Sequence, residues 1–259
     1  MLAEVQQAIS TRPPGTRLVF LSDYDGTLAD FHPDPTIPRP SKRTRELLGR
    51  LAERPDVSLG IVSGRRVADL RTRTQLPARV YLAGLHGMEI EVGPHQWRHP
   101  DLDAARDDVR ELNEHLEEVR TRVPGLILED KHASIAVHVR GVEADRRADA
   151  LAMADEWAAA WVQSGRLRRL PGNLVLEFLP NIACHKGDAT RWIAQDVEER
   201  CGEPAWVIFV GDDITDEDAF EAIEHGVGVL VGSRESAAKF QLGSINDVNA
   251  LLSWLTRER

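Results

Sequence analysis

The stretch that most constrains this chain is Arg17-Leu18-Val19-Phe20-Leu21-Ser22-Asp23-Tyr24-Asp25-Gly26-Thr27-Leu28. Leu18 to Leu21 is a short, uninterrupted apolar run, the pattern of a strand covered on both faces, as in a parallel sheet. It runs directly into two aspartates separated by one tyrosine. In open α/β sheets ligands gather beyond the carboxyl ends of strands, so Asp23 and Asp25 are expected at the functional edge. Two carboxylates this close repel each other unless a cation sits between them. Mg²⁺, held by one or two carboxylates and a substrate phosphate, is one such cation. One aspartate is then suited to act as a nucleophile and the other as an acid–base. Asp-x-Asp-Gly is also ordinary turn chemistry, and these residues alone leave both readings open.

The rest of the chain alternates strand and helix patterns. Pro33, Pro35, Pro38 and Pro40 make 31–40 a loop, after which Ser41 caps a helix to about Glu53 through Leu47, Leu48 and Leu51. Val57 to Val62 is a second strand, ending in Ser63-Gly64-Arg65-Arg66 before a helix from Val67. Ser63 in that place either holds phosphate with nearby backbone N–H groups or simply caps the helix. Arg79 to Gly84 is a third strand, followed by Leu85-His86-Gly87 and an edge strand at Met88 to Val92.

From about Asp101 the character changes. A polar helix to Arg122 with Leu112, Leu116 and Val119 precedes two strand-like runs, Leu126 to Glu129 and Ser134 to Arg140. An alanine-rich helix, Glu143 to Gln163, then precedes Arg166 to Leu170 and Leu174 to Phe178. Helix-strand-strand, twice, describes a small α+β layer with a face of its own to bury. On the alternating run, Ser134, Ala136, His138 and Arg140 share one face. With Glu129, Lys131 and Glu177 they offer donors and acceptors to sugar hydroxyls; they also describe a solvated sheet with cross-strand ion pairs.

Lys186-Gly187-Asp188 opens a helix carrying Trp192, Ile193 and Val197. Ala205 to Val210 is a further buried strand, ending in Gly211-Asp212-Asp213-Ile214-Thr215-Asp216-Glu217-Asp218, where Thr215 and Asp218 have capping-box-like spacing. That acidic run suits either a metal site or a helix start favoured by the dipole. Gly226 to Val231 is a strand and Asn246 to Arg257 a final helix. The expected fold is therefore α/β, a Rossmann-like parallel-sheet core at 1–100 and 181–259 with a smaller inserted α+β cap domain at 101–180.

Composition narrows the function classes. A chain of 259 residues suits a core plus an insertion. A net charge of −10 argues against general nucleic-acid binding, so an anionic substrate must be drawn in locally. No apolar stretch reaches membrane-spanning length and no signal peptide is evident. Cys184 and Cys201 lack metal spacing and fit a reducing, cytoplasmic setting. No sequence signal points to a protein partner. Lysines are scarce: Lys42, Lys131, Lys186 and Lys239 stand against 28 arginines, so each lysine invites a specific role.

Asp23-Tyr24-Asp25-Gly26-Thr27-Leu28 resembles the first motif of the haloacid dehalogenase superfamily of phosphatases. Taken with Ser63-Gly64-Arg65, His86-Gly87, Glu129-Asp130-Lys131, His138, Arg140, Glu177, Lys186-Gly187 and Gly211-Asp212-Asp213-Ile214-Thr215-Asp216-Glu217, nearly the whole chain is similar to the trehalose-6-phosphate phosphatases. The resemblance implies a Mg²⁺-dependent hydrolase of trehalose 6-phosphate working through an aspartyl-phosphate. It implies Asp23 as nucleophile, Asp25 as general acid and then base, and Ser63 and Lys186 holding the phosphoryl oxygens. The metal would draw on Asp23, Asp25, Asp212, Asp213 and Asp216, with Asp213 or Asp216 binding directly or through water. Substrate contacts would include Arg65 and His86 on the core and Glu129, Lys131, His138, Arg140 and Glu177 on a cap that closes over the sugar and reopens. With no synthase-like domain before these motifs, the expectation is a stand-alone enzyme. His185 stands where Asn is more usual before the lysine, and Leu85 is atypical before His86. Two alternatives are a phosphatase for another glycosyl phosphate or glycosyl-phosphoglycerate, and a non-catalytic sugar-phosphate sensor; the latter has no need of a nucleophile–acid pair.

Overall fold

A computed structural model describes residues 1–32, 34–131 and 133–257; Pro33, one of the expected loop prolines, lies outside them. In chain order the first elements are α1 (Leu2–Ser10), β1 (Arg17–Ser22), α2 (Lys42–Ala52), β2 (Val57–Val62) and α3 (Val67–Thr74). They are followed by β3 (Tyr81–Gly84), β4 (Glu89–Val92) and β5 (His95–Arg98). The middle of the chain supplies α4 (Arg106–Arg122), β6 (Ile127–Asp130), β7 (Ile135–His138), α5 (Arg147–Trp157), α6 (Ala159–Gln163), β8 (Leu167–Gly172) and β9 (Val175–Pro180). The last part is α7 (Lys186–Cys201), β10 (Ala205–Gly211), α8 (Glu217–Glu221), β11 (Gly226–Val231), β12 (Phe240–Leu242) and α9 (Ile245–Leu255). Two compact units result: one built from 1–30, 39–97 and 184 onward, the other from 31–38 and 98–183.

The first unit holds an eight-stranded sheet in the order β12-β11-β10-β1-β2-β3-β4-β5. β1 lies at its centre, parallel to β10 on one side and β2 on the other. Its uninterrupted apolar run conceals a period of two. Leu18 and Phe20 join a cluster with residues of α1, α2 and α9. Val19 and Leu21 join a second cluster with Ala189, Ile193 and Val197 of α7. β10 divides likewise, with Trp206, Ile208 and Val210 on one face and Val207 and Phe209 on the other. Burial on both faces is what makes the run continuous in sequence.

Met88 to Val92 is not the edge expected from sequence. β4 pairs antiparallel with β3, and β5 lies beyond it, joined through a turn at Gly93-Pro94. The strand His95-Gln96-Trp97-Arg98 is largely exposed, as suits an edge, and its polar composition hid it.

The second unit is an antiparallel sheet, β6-β7-β9-β8. α4 buries Val109, Leu112, Leu116 and Val119, the stripe expected of a helix packed on one side. It starts at Arg106 rather than Asp101, because 101–105 form turns that tuck Leu102 inside. The alanine-rich segment is not one helix either: a 3₁₀ turn at Ala144–Arg146 leads into α5, and a break at Ala158 separates α6. Ile135 and Val137 of β7 face the apolar interior with Leu176 and Phe178 of β9. The other face carries Ser134, Ala136 and His138, with Glu129 and Glu177 in register on either side of Ala136. Among the described residues no helix is long and apolar enough to cross a membrane.

Gly226, where β11 begins beside β10, has φ +144°, and a Cβ there would lie 1.8 Å from the Val207 carbonyl oxygen. Gly226→Ala is therefore expected to lower unfolding free energy by at least ~2 kcal/mol, read from urea denaturation. An unchanged midpoint would show that the two strands are not in this register.

Candidate active site

β1 and β10 deliver their ends side by side: the Asp23 amide donates to the Val210 carbonyl at 2.8 Å, which keeps the chain in sheet register up to the first aspartate. The chain then turns sharply at Gly26, whose φ is +85°. A Cβ there would lie 2.2 Å from Asp212 Oδ2, so only glycine admits the approach of the two acidic loops. Thr27 Oγ1 fastens the same junction, donating to Asp212 Oδ1 at 3.0 Å.

Lys186 enters from the first residue of α7. Its Nζ donates to Asp23 Oδ1 at 2.6 Å and to Asp216 Oδ1 at 2.7 Å, and all three side chains are buried. Burial alone would lower the Lys186 pKa, but Asp216 and Asp23 more than reverse this and hold the ammonium charged. His185, the unusual residue before the lysine, caps the helix: its Nδ1 accepts from the Gly187 amide at 3.2 Å, and its own amide donates to Asp188 Oδ2 at 2.9 Å. A histidine thus performs the helix-starting task usually given to small polar residues, and Lys186 is fixed at the first turn.

Asp23, Asp212 and Asp216 place one carboxylate oxygen each within 4.8 Å of one another. With Lys186 they make three carboxylates and one ammonium, an uncompensated negative charge in a buried place. Burial pushes the Asp23 carboxyl up against the pull of Lys186, with Asp216 and Asp212 adding to the rise. Burial, then Asp216, raises Asp212 to about 7. Oxygen-only donors, close spacing and a deficit of positive charge fit a hard divalent cation. Such a cation would be held by Asp23 and Asp212. Asp216 already spends Oδ1 on Lys186 and Oδ2 on the Asp213 amide, at 2.9 Å.

The capping interaction expected between Thr215 and Asp218 falls elsewhere. Asp213 caps a 3₁₀ turn at Ile214–Asp216, its Oδ1 accepting from the Ile214 amide, and Asp216 reaches back to it. Two acidic residues at this spacing satisfy the orphan amides as well as the expected pair would, and Asp216 also serves Lys186. Arg234, which no sequence signal singled out, donates to the carbonyls of Asp212 at 3.1 Å and Asp213 at 2.6 Å, pinning the acidic loop from behind.

Asp25 is engaged by Arg65, whose Nε and Nη2 donate to its two oxygens at 2.7 Å each. Ser63 is buried, with Oγ accepting from the Arg65 amide at 3.2 Å. His86 and Leu85 both have positive φ, and their amides donate to the carbonyls of Ser63 and Arg65. The His-Gly turn is thus a brace for the Ser63 loop; non-glycine residues in this conformation are sparsely populated and persist where surroundings demand them.

In the second unit the expected polar face forms two pairs. Lys131 Nζ and Ser134 Oγ donate to the two oxygens of Glu177, at 2.8 and 2.5 Å. His138 Nε2 donates to Glu129 Oε2 at 2.9 Å. Arg140 donates to the Asn173 carbonyl and stacks over the Phe31 ring at 4.6 Å. Ser134 lies on the face expected from strand alternation, whereas the contact of Phe31 with Arg140 had no sequence signal.

Residues 21–246 match the family model described as trehalose-phosphatase. The chain belongs to the trehalose-phosphatase family. A trehalose-phosphate phosphatase of Mycobacterium marinum is 34% identical over 255 residues, covering 94% of this chain and 63% of that protein. The chain thus spans about three-fifths of the length of the curated relatives it matches. The C-terminal domain of a Candida albicans trehalose-6-phosphate phosphatase has TM-score 0.81 at 22% identity, covering 93% of each chain. The C-terminal domain of a Candida albicans trehalose synthase regulatory protein has TM-score 0.71 at 15% identity, covering 97% of each. These two likenesses show the fold alone; the trehalose-phosphatase assignment rests on sequence.

Lys186→Met leaves Asp23 and Asp216 buried without their ammonium. Breaking a buried pair on one side is expected to cost about 3–5 kcal/mol in unfolding free energy. The double variant Lys186→Met/Asp216→Asn should recover part of that loss, measured as a double-mutant cycle. Additive losses would mean that the two residues do not form the pair.

Proposed function

We propose that the chain is a Mg²⁺-dependent phosphatase that hydrolyses trehalose 6-phosphate to trehalose and phosphate through an aspartyl-phosphate. The observation that carries this reading is the buried Asp23–Lys186–Asp216 arrangement beside Asp212, with Asp25 two residues on, in a trehalose-phosphatase family chain. A sensor needs to hold a phosphate; it needs no carboxylate beside an ammonium and a second carboxylate two residues away.

In this reading Asp23 attacks phosphorus as the bond to the sugar oxygen breaks, and Asp25 gives that oxygen its proton. Asp25 then takes a proton from the water that attacks the phosphoryl-aspartate, which releases phosphate and restores the Asp23 carboxylate. Lys186 orients Asp23 and offsets charge on the transferring group, and Ser63 presents a hydroxyl and nearby amides to its oxygens. Mg²⁺ would be held by Asp23 and Asp212, with Asp216 or Asp213 and Asp25 nearby, and would supply charge neutralisation for the phosphoryl oxygens. Glu129, Lys131, His138, Arg140 and Glu177 recognise sugar hydroxyls, as donors and acceptors both, while on the first unit His86 braces the Ser63 loop and Arg65 holds Asp25. Both cysteines are free and one is buried, which fits the reducing conditions of the cytoplasm, where we place the reaction.

The deciding experiment is phosphate release from trehalose 6-phosphate, glucose 6-phosphate, sucrose 6-phosphate and glucosyl-3-phosphoglycerate, with Mg²⁺ and with EDTA. Mg²⁺-dependent preference for trehalose 6-phosphate supports the full reading. Preference for another sugar keeps the chemistry and removes the sugar assignment. A folded protein with no turnover favours the sensor. Three outcomes follow from the residues. Asp23→Asn should lower turnover by roughly 10³-fold or more without changing thermal stability downward. Saturating Mg²⁺ should raise the unfolding free energy, by about 2.7 kcal/mol at a hundredfold excess over Kd, and Asp212→Asn should erase the rise. Glu129→Gln and Glu177→Gln should raise KM for the sugar phosphate by ~10-fold, while p-nitrophenyl phosphate, which has no sugar, is hydrolysed as before.

A further inference from the structure

We infer that Arg65 is a positioning residue for Asp25, and that Asp69 and Arg73 of α3 extend this support into the interior of the unit. The inference rests on the reading of Asp25 as acid–base. Arg65 and Asp25 form a two-pronged pair, with Nε on Oδ2 and Nη2 on Oδ1, both at 2.7 Å. A guanidinium fork fixes a carboxylate's plane as well as its distance, which a lysine cannot do.

The fork is itself held. Arg65 is 5% exposed, whereas the Asp25 side chain is 30% exposed, so the buried partner is the cation and the carboxylate faces outward. Arg65 Nη1 donates to Asp69 Oδ2 at 3.1 Å, and its guanidinium lies over the Tyr24 ring, 5.3 Å from the centroid. Asp69 in turn accepts from Arg73 Nε at 2.6 Å. Asp25, Arg65, Asp69 and Arg73 thus alternate in sign along a line that begins at the loop after β1 and ends on the last turn of α3. Asp69 and Arg73 are four residues apart, the spacing at which helical side chains meet.

This ladder fits a positioning task better than a phosphate-binding one. Three of the guanidinium's five N–H groups are committed, two to Asp25 and one to Asp69, and the Arg65 side chain is only 5% exposed. The carboxylate, by contrast, keeps capacity: an ionised carboxylate offers about four lone-pair sites, and the fork takes two. One of the remaining pairs can carry the proton that passes to the sugar oxygen while the phosphorus–oxygen bond breaks and Asp23 forms the new one. It can afterwards receive the proton of the attacking water. The plane of Asp25 therefore stays fixed through both half-reactions, and neither proton step requires the fork to open.

The test separates acid catalysis from phosphate binding by the leaving group. A sugar alkoxide is a poor leaving group and needs a proton; p-nitrophenolate does not. kcat/KM reports the first transfer, to Asp23, and so isolates the acid step. For Arg65→Lys, kcat/KM for the best sugar phosphate of the panel should fall by ~10²-fold, and that for p-nitrophenyl phosphate by no more than about threefold. Asp25→Asn should show the same pattern more strongly, and adding Arg65→Lys to it should change little further. Asp69→Asn, one step removed, should give a smaller loss with the same leaving-group bias and keeps the test available if an Arg65 variant does not fold. Equal losses for both substrates, or a rise in KM alone, would assign Arg65 to the phosphate and overturn the inference. If Asp25→Asn itself shows no leaving-group bias, the acid–base reading falls and this inference with it; bias in Asp25→Asn without bias in Arg65→Lys overturns the inference alone.

Discussion

The ammonium of Lys186, donating to Asp23 and Asp216 at once, is the contact on which the first unit turns. Three acidic side chains converge where β1 and β10 end, and without a cation their mutual repulsion in a buried place would drive them to take up protons or move apart. One lysine removes part of that conflict and leaves the remainder for a metal. The surroundings serve this one contact. His185 fixes the start of the helix that carries Lys186; Asp216 is pinned through the Asp213 amide; Gly26 lets the loop with Asp23 approach Asp212; and Arg234 steadies the acidic loop from behind.

The second unit solves a related problem differently. Glu129 and Glu177 flank Ala136 on one face, and each carboxylate has its own partner, His138 for the first and Lys131 with Ser134 for the second. A small residue between two paired acids leaves their hydrogen-bonding groups already oriented on one face of the sheet. Preorganisation of this kind reduces the entropy lost when hydroxyls are bound.

Much of this was legible in the sequence because it rests on short-range patterns. The apolar run before Asp23, the alternation through Ser134, Ala136 and His138, and the leucine stripe of α4 each have one physical reading once burial is granted. What was hidden depends on distant parts of the chain. β5 has no apolar side to betray it, since an edge strand can be polar throughout. Arg234 acts through backbone carbonyls, and nothing in its neighbourhood distinguishes it from 27 other arginines. Arg65 and His86 show the same limit: motif spacing places them near Ser63, and only geometry shows Arg65 paired with Asp25 and the His86 amide donating to the Ser63 carbonyl. The cap at Ile214 fell on Asp213 because several acids compete for the same orphan amides.

The double burial of β1 has a consequence for how the first unit opens. Leu18 and Phe20 belong to one hydrophobic cluster and Val19 and Leu21 to another, so this strand is the common wall of both. Neither cluster can come apart locally while leaving the strand intact, and the strand cannot leave without exposing both. Its amides should accordingly exchange with solvent only through global unfolding. Asp23 thus sits one residue beyond this strand, and thermal agitation that loosens the helices leaves it anchored until the fold itself is lost.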